Sequence, residues 1–141
     1  MVDVEGFAAD GYVKLAGAAP RQMADAARSV LWAQLGLSPD DPSSWTAPVR
    51  WAADLTGAGP FGALTHNPVL AAALDGVCGV GGWVPRGSLG NIPVRFPVSP
   101  AADDRGWHLD LNAPQSDGSW VVSARPHTVL VLTLLSEVTV D

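Results

Sequence analysis

The sequence predicts an α+β fold, with N-terminal helices packed on an antiparallel sheet. Three observations carry that expectation. Helix start and stop residues cluster in the first eighty positions. Extended, apolar or alternating runs fill the remainder. The chain of 141 residues, 48% of them hydrophobic, is one domain long and buries a core without staples. We divide the domain 1–141 into a helical part, 1–80, and a β part, 81–141.

Taken in order, residues 12–15 follow Gly11 and read as a short strand. Pro20 then occupies a helix start, and Gly36 supplies the stop. Between them Met23, Ala27, Val30, Leu31 and Gln34 recur at helical spacing. Residues 38–60 are loop-rich, with one short helical turn at Pro39, Asp40 and Asp41. Trp45 and Trp51 are placed to pin this loop to the core. Asn67-Pro68 starts a second helix, whose stripe is Val69, Leu70, Ala73, Leu74 and Val77 and whose stop is Gly79. Cys78 falls near its end as a small buried hydrophobe. In the β part, residues 88–96 are extended, and Pro93 marks an edge or a bulge. Residues 107–111 alternate and 119–123 form a short strand. Residues 128–135 make a continuous apolar run, a strand buried on both faces unless it is helical.

Composition narrows the function. Eight Lys+Arg against fourteen Asp+Glu give a net charge of −6, with no basic run, which argues against phosphate-backbone binding. The chain opens on acidic residues where a signal peptide is basic, and its longest apolar run is far short of about 20 residues. A single cysteine, Cys78, excludes an intrachain disulfide framework and a thiolate-cluster metal site. The compartment expected is the cytosol. Nucleic acid and membrane are therefore not expected partners. Charged residues are only 16% of the chain, below the usual ~25%, as in a chain with an extra interface.

The sharpest chemical feature is Trp107-His108-Leu109-Asp110. On a strand, positions i and i+2 share a face. His108 and Asp110 would then present an imidazole nitrogen and a carboxylate oxygen together, two of the three donors of a 2-His-1-carboxylate iron site. The plain alternative is a surface histidine beside a solvated aspartate. His127, at the entry to the apolar run, is the one further candidate donor, against a partly exposed loop histidine. His66, just before Asn67-Pro68, reads as a surface or capping residue. Arg95 alternates with Val94 and Phe96. It either binds an anion such as an oxoacid carboxylate or pairs outside with Asp103 or Asp104. Arg86 and Arg125 read as surface charges. Trp107, Trp83 and Trp120 read as core or pocket wall.

Around the triplet, the run Gly87-Ser88-Leu89-Gly90-Asn91-Ile92-Pro93-Val94-Arg95-Phe96-Pro97, then an acidic loop and Gly106-Trp107-His108-Leu109-Asp110, resembles the phytanoyl-CoA dioxygenase family. The opening Gly11-Tyr12-Val13-Lys14-Leu15-Ala16-Gly17-Ala18 and the stretch Pro126-His127-Thr128-Val129-Leu130-Val131-Leu132 are similar to that family in the same order. The resemblance implies an Fe(II)/2-oxoglutarate oxygenase that hydroxylates a small organic substrate, with His108 and Asp110 as metal ligands. The carboxylate of Asp110 favours hydroxylation over halogenation. It also implies a double-stranded β-helix of jelly-roll or cupin type. Such a fold needs eight strands, and the residues after Asp110 allow about three, so the sheet is expected to be incomplete at its C-terminal end. The family's second histidine ligand and its oxoacid-binding arginine have no counterpart in the sequence. The rival expectation is therefore a non-catalytic, truncated or degenerate module that works through a protein partner. An open sheet edge would favour self-association or a complementing C-terminal segment.

Overall fold

The computed structural model of the chain describes residues 2–103, 105, 116–119 and 128–138. They fall in two compact units, Met1–Ala101 and Ala102–Asp141, and the regular elements described belong to the first. The mixture of helices with an antiparallel sheet is the expected α+β class.

Helix α1 (Val4–Asp10) was not anticipated, although its ends are well signalled. The Asp3 carboxylate accepts from the Gly6 N–H at 2.8 Å, and Gly11 closes the helix in the left-handed region, as helix caps do. The strand expected at 12–15 is not formed: the chain there is coil, with Tyr12 exposed. An isolated strand leaves its backbone groups without partners, and the sheet that does form draws on other residues.

Helix α2 (Arg21–Leu35) begins after Pro20 and ends at Gly36, as expected. Ala27 and Leu31 are buried. Val30, on the flank of the stripe, is exposed instead. A short 3-10 turn at Pro42–Ser44, capped by Asp41, replaces the turn expected three residues earlier. The region read as loop then yields strand β1 (Val49–Asp54) and helix α3 (Pro60–Thr65). Helix α4 (Pro68–Cys78) starts at Asn67, whose side chain accepts from the Val69 N–H at 2.8 Å and donates to the Ala18 carbonyl. Ala73 is buried, but Val69 is exposed.

Strand β2 (Gly90–Arg95) pairs with β1 antiparallel, with Asp54 opposite Gly90, Ala52 opposite Ile92 and Trp51 opposite Pro93. One strand thus comes from each side of residue 80, not both from the β part. The core on which they lie comprises Ala27, Leu31, Ala52, Phe61, Leu64, Ala73 and Phe96. Trp45 does pin its loop. Its ring lies 5.9 Å from Trp32 and 5.5 Å from Phe96, and its Nε1 donates to the Ser38 carbonyl at 2.9 Å. Trp51 does not: it is 67% exposed, on the sheet face opposite Ala52.

Each sheet edge is blunted at one residue. The Phe96 N–H donates to the Pro48 carbonyl at 3.0 Å. In an antiparallel ladder hydrogen-bonded pairs alternate with unbonded ones, so Trp51–Pro93 and Ala53–Asn91 are unbonded pairs. Pro93 therefore meets the outer edge of β2, where its missing N–H loses no ladder bond. On the other strand the Gln34 side-chain amide takes the outward groups of Ala53, donating to its carbonyl at 2.9 Å and accepting from its N–H at 3.3 Å.

The strand expected at 107–111 lies outside the described residues, as does 119–123 apart from Ser119. Residues 128–134 are described and belong to neither a strand nor a helix. Their apolar side chains, from Val129 to Leu134, are exposed rather than buried on both faces. Among the described residues the sheet is two-stranded, and no jelly roll is present.

Candidate functional site

The most buried polar side chain among the described residues is the Asp54 carboxylate, at the end of β1. Asp54 is 4% exposed. One oxygen accepts from the N–H groups of Gly57 at 2.7 Å and Thr56 at 3.2 Å. The other accepts from the Leu89 N–H at 2.9 Å. The carboxylate thus clamps the turn leaving β1 to the turn entering β2. Burial pulls its pKa up, but the bonds from Leu89, Gly57 and Thr56 outweigh that and hold it below the ordinary carboxylate value. Glycine makes the closeness possible. A Cβ on Gly57 would stand 1.9 Å from the Gly87 carbonyl oxygen, and one on Gly62 would stand 2.1 Å from that of Gly57. This hub was not singled out from the sequence. Its signal is Asp54-Leu55-Thr56-Gly57, an aspartate whose side chain bonds the backbone two and three residues on.

The lowered pKa fixes the sign of a pH effect. A carboxyl whose folded pKa is depressed supplies stability above its unfolded pKa, and that stability is lost as pH falls through the folded value. Urea midpoints measured from about pH 6 to pH 3 should fall for the native chain, and less steeply for Asp54→Asn. Parallel curves would remove Asp54 from the effect.

The residues expected to carry chemistry are placed as follows. His108, Asp110 and His127 lie outside the described residues, as do Trp107, Trp120 and Arg125. Arg95 lies on the exposed face of β2 in the row of Asn91 and Pro93, while the inner row carries Ile92 and Val94. Asp103, one partner considered for Arg95, is engaged by Arg105, whose Nε and Nη2 donate to its two oxygens at 2.8 Å each. His66 is exposed at the C-terminus of α3. Its Nδ1 lies 2.7 Å from the Gly62 carbonyl and 3.2 Å from the Thr65 hydroxyl; it is the surface residue expected, and it caps the end of α3, while Asn67 caps the start of α4. Cys78 is half-buried at the end of α4. Trp83 donates from Nε1 to Asp75 at 2.8 Å, which ties the segment after α4 back onto the helix. Arg86 is exposed.

An open cleft of about 480 Å³ lies against the starts of α2 and α3, lined by Pro20, Gln22, Met23, Ala26 and Pro60. It offers contact to an apolar group and no charge. Among the described residues no three His, Cys, Asp or Glu side chains are grouped to hold a metal ion, and no helix is long and apolar enough to cross a membrane. Comparison with protein-family models, with curated proteins and with solved structures finds no match.

Proposed function

We propose that this chain carries the proximal half of an Fe(II)/2-oxoglutarate oxygenase site, acting in the cytosol on a small organic substrate. The observation that carries the reading is His108-x-Asp110, set in the order of flanking motifs that resembles the phytanoyl-CoA dioxygenase family. The α+β fold of helices against an antiparallel sheet is compatible with it, and a jelly-roll completion of that sheet is part of the proposal.

The donor set fits the metal in kind. A neutral imidazole and a carboxylate oxygen both suit Fe(II), and a carboxylate also offsets the ion's charge. It does not fit in number, because two donors fall one short of the three-donor face. Bound iron would supply O2 activation and the oxidative decarboxylation of 2-oxoglutarate. His108 through an imidazole nitrogen and Asp110 through a carboxylate oxygen would hold the metal. Arg95, on the exposed face of β2, is the candidate for attracting the oxoacid's carboxylates.

The test is anaerobic titration with Mn(II), followed by electron paramagnetic resonance, on the native chain, His108→Ala and Asp110→Ala. Two protein donors predict micromolar or weaker binding, no tighter than about −8 kcal/mol, lost in either variant. Binding that survives both substitutions overturns the reading. Tight binding abolished by His127→Ala would make His127 the third ligand. Succinate release by the isolated chain should be absent. No metal binding in a folded chain favours the non-catalytic module.

A further inference from the structure

Three Asp-Gly pairs occur in the chain: Asp10-Gly11, Asp75-Gly76 and Asp117-Gly118. In such a pair the glycine nitrogen can close a five-membered imide ring on the aspartate Cγ, and glycine has no Cβ to crowd that nitrogen. The structure treats the three pairs differently. The Gly11 N–H is engaged, donating to the Phe7 carbonyl at 2.9 Å. Gly76 lies inside α4, where its N–H belongs to the helix ladder. The Asp75 carboxylate is held as well, by Trp83 Nε1 at 2.8 Å. Asp117 and Gly118 are exposed, in a turn outside helix and strand. Among the described residues the Gly118 N–H has no hydrogen-bond partner. The Asp117 carboxyl, by contrast, is aligned: its Oδ1 accepts from the Ser119 N–H at 2.9 Å and from the Ser119 hydroxyl at 2.6 Å. Two donors on one oxygen are what a developing oxyanion needs.

We propose that Asp117-Gly118 is a self-modifying site, which closes to a cyclic imide and reopens to an isoaspartyl link while the fold protects the other two pairs. The Gly118 nitrogen attacks Cγ of the protonated Asp117 carboxyl. The tetrahedral centre that forms keeps its negative oxygen on the two Ser119 donors. The Cγ–Oδ2 bond then breaks, and Oδ2 leaves as water with the carboxyl proton and the proton from nitrogen. Water next adds to one of the two imide carbonyls. Opening at Cγ restores aspartate. Opening at the main-chain carbonyl leaves the chain running through Cγ, one carbon longer, with a free α-carboxylate. No oxidant or reductant enters. The same closure at Gly11 or Gly76 would strip the hydrogen from an amide that is already bonded, so a helical hydrogen bond must be given up first.

The experiment incubates the full chain for weeks in heavy-oxygen water at about pH 5, where more of the carboxyl is protonated than at neutrality. Label is then mapped on peptide fragments by mass spectrometry. Each closure and reopening exchanges one carboxyl oxygen, so the label at each pair counts its events. Asp117 should take up label at least about tenfold faster than Asp10 and Asp75, whose amides must first open locally. An isoaspartyl form of the fragment holding Asp117 should separate from the native one on chromatography. Ser119→Ala removes one of the two donors and should slow labelling there by about threefold to tenfold, less than a buried oxyanion donor is worth because water takes its place. In concentrated urea the helices melt, and the three pairs should label within about threefold of one another. No label at any pair overturns the proposal, as does equal label at all three in the folded chain or a larger label at Asp10 or Asp75. Labelling indifferent to Ser119→Ala overturns the oxyanion role of its hydroxyl. A lead for Asp117 that urea leaves unchanged assigns the choice to neighbouring sequence and overturns protection by the fold.

Discussion

Gly57→Ala is expected to destabilise the chain by about 3 kcal/mol, read as a lower urea midpoint at unchanged slope. Two costs add. The methyl group would lie 1.9 Å from the Gly87 carbonyl oxygen, which belongs to backbone and cannot swing aside; overpacking of this kind costs roughly 1–3 kcal/mol. Gly57 also has φ of +65°, a conformation that costs an L-residue roughly 1–2 kcal/mol. Gly62→Ala is the sharper control. In an ordinary helix that exchange stabilises by about 1 kcal/mol. Here the Cβ would meet the Gly57 carbonyl oxygen at 2.1 Å, so the sign should reverse. A stabilised Gly62→Ala would show that the three glycines do not approach so closely.

Asp54→Ala should cost a similar amount or more, about 3–5 kcal/mol. The substitution leaves the N–H groups of Leu89, Gly57 and Thr56 without their acceptor in a buried place, and an unsatisfied buried donor costs roughly 1–3 kcal/mol. Asp54→Asn keeps one acceptor oxygen and should lose about half as much. Amide exchange at Leu89 should quicken more than exchange in α2, because the clamp holds that turn directly. The double variant Gly57→Ala/Asp54→Asn should fall short of the sum, since both changes loosen one turn. Strict additivity would mean that the two groups act separately.

Parts of this fold were legible in the sequence wherever a local rule decided the matter. Pro20 and Gly36 bracket α2, and Asn67-Pro68 opens α4, because caps depend on residues within one turn. Strand β1 was not legible: Val49 to Asp54 lacks a clean alternation, and its pairing depends on Gly90 to Arg95, which lie far along the chain. Trp51 shows the limit of composition. A large aromatic in a loop-rich stretch reads as an anchor, yet the register opposite Pro93 sets it on the outer face. The core anchor is Trp45, selected by the positions of Trp32 and Phe96 and not by any local pattern. The run at 128–135 is apolar enough for a core strand, but whether such a run is covered depends on neighbours its own residues do not name. For the proposed site, the spacing of His108 and Asp110 states which donors could share a face, and the third donor depends on residues that this spacing does not specify.

The amide of Gln34 on Ala53 also bears on synthesis. Strand β1 leaves the ribosome well before its partner. At roughly 5–20 residues per second, the stretch from Asp54 to Arg95 takes about 2–8 s to make. Throughout that interval β1 has no β2, and an unpaired strand in a crowded cell is a template for another nascent chain. Gln34 precedes β1 in the sequence and sits on α2, a helix of local contacts that forms in microseconds once it is free. In the folded chain its side chain takes the outward groups of Ala53, and both partners of that contact are made before β2. Gln34→Ala would cost the finished sheet two side-chain hydrogen bonds at one residue, while exposing β1 on both sides during its wait. The penalty should fall on the yield of folded chain at high expression, more than on the stability of the chain that survives.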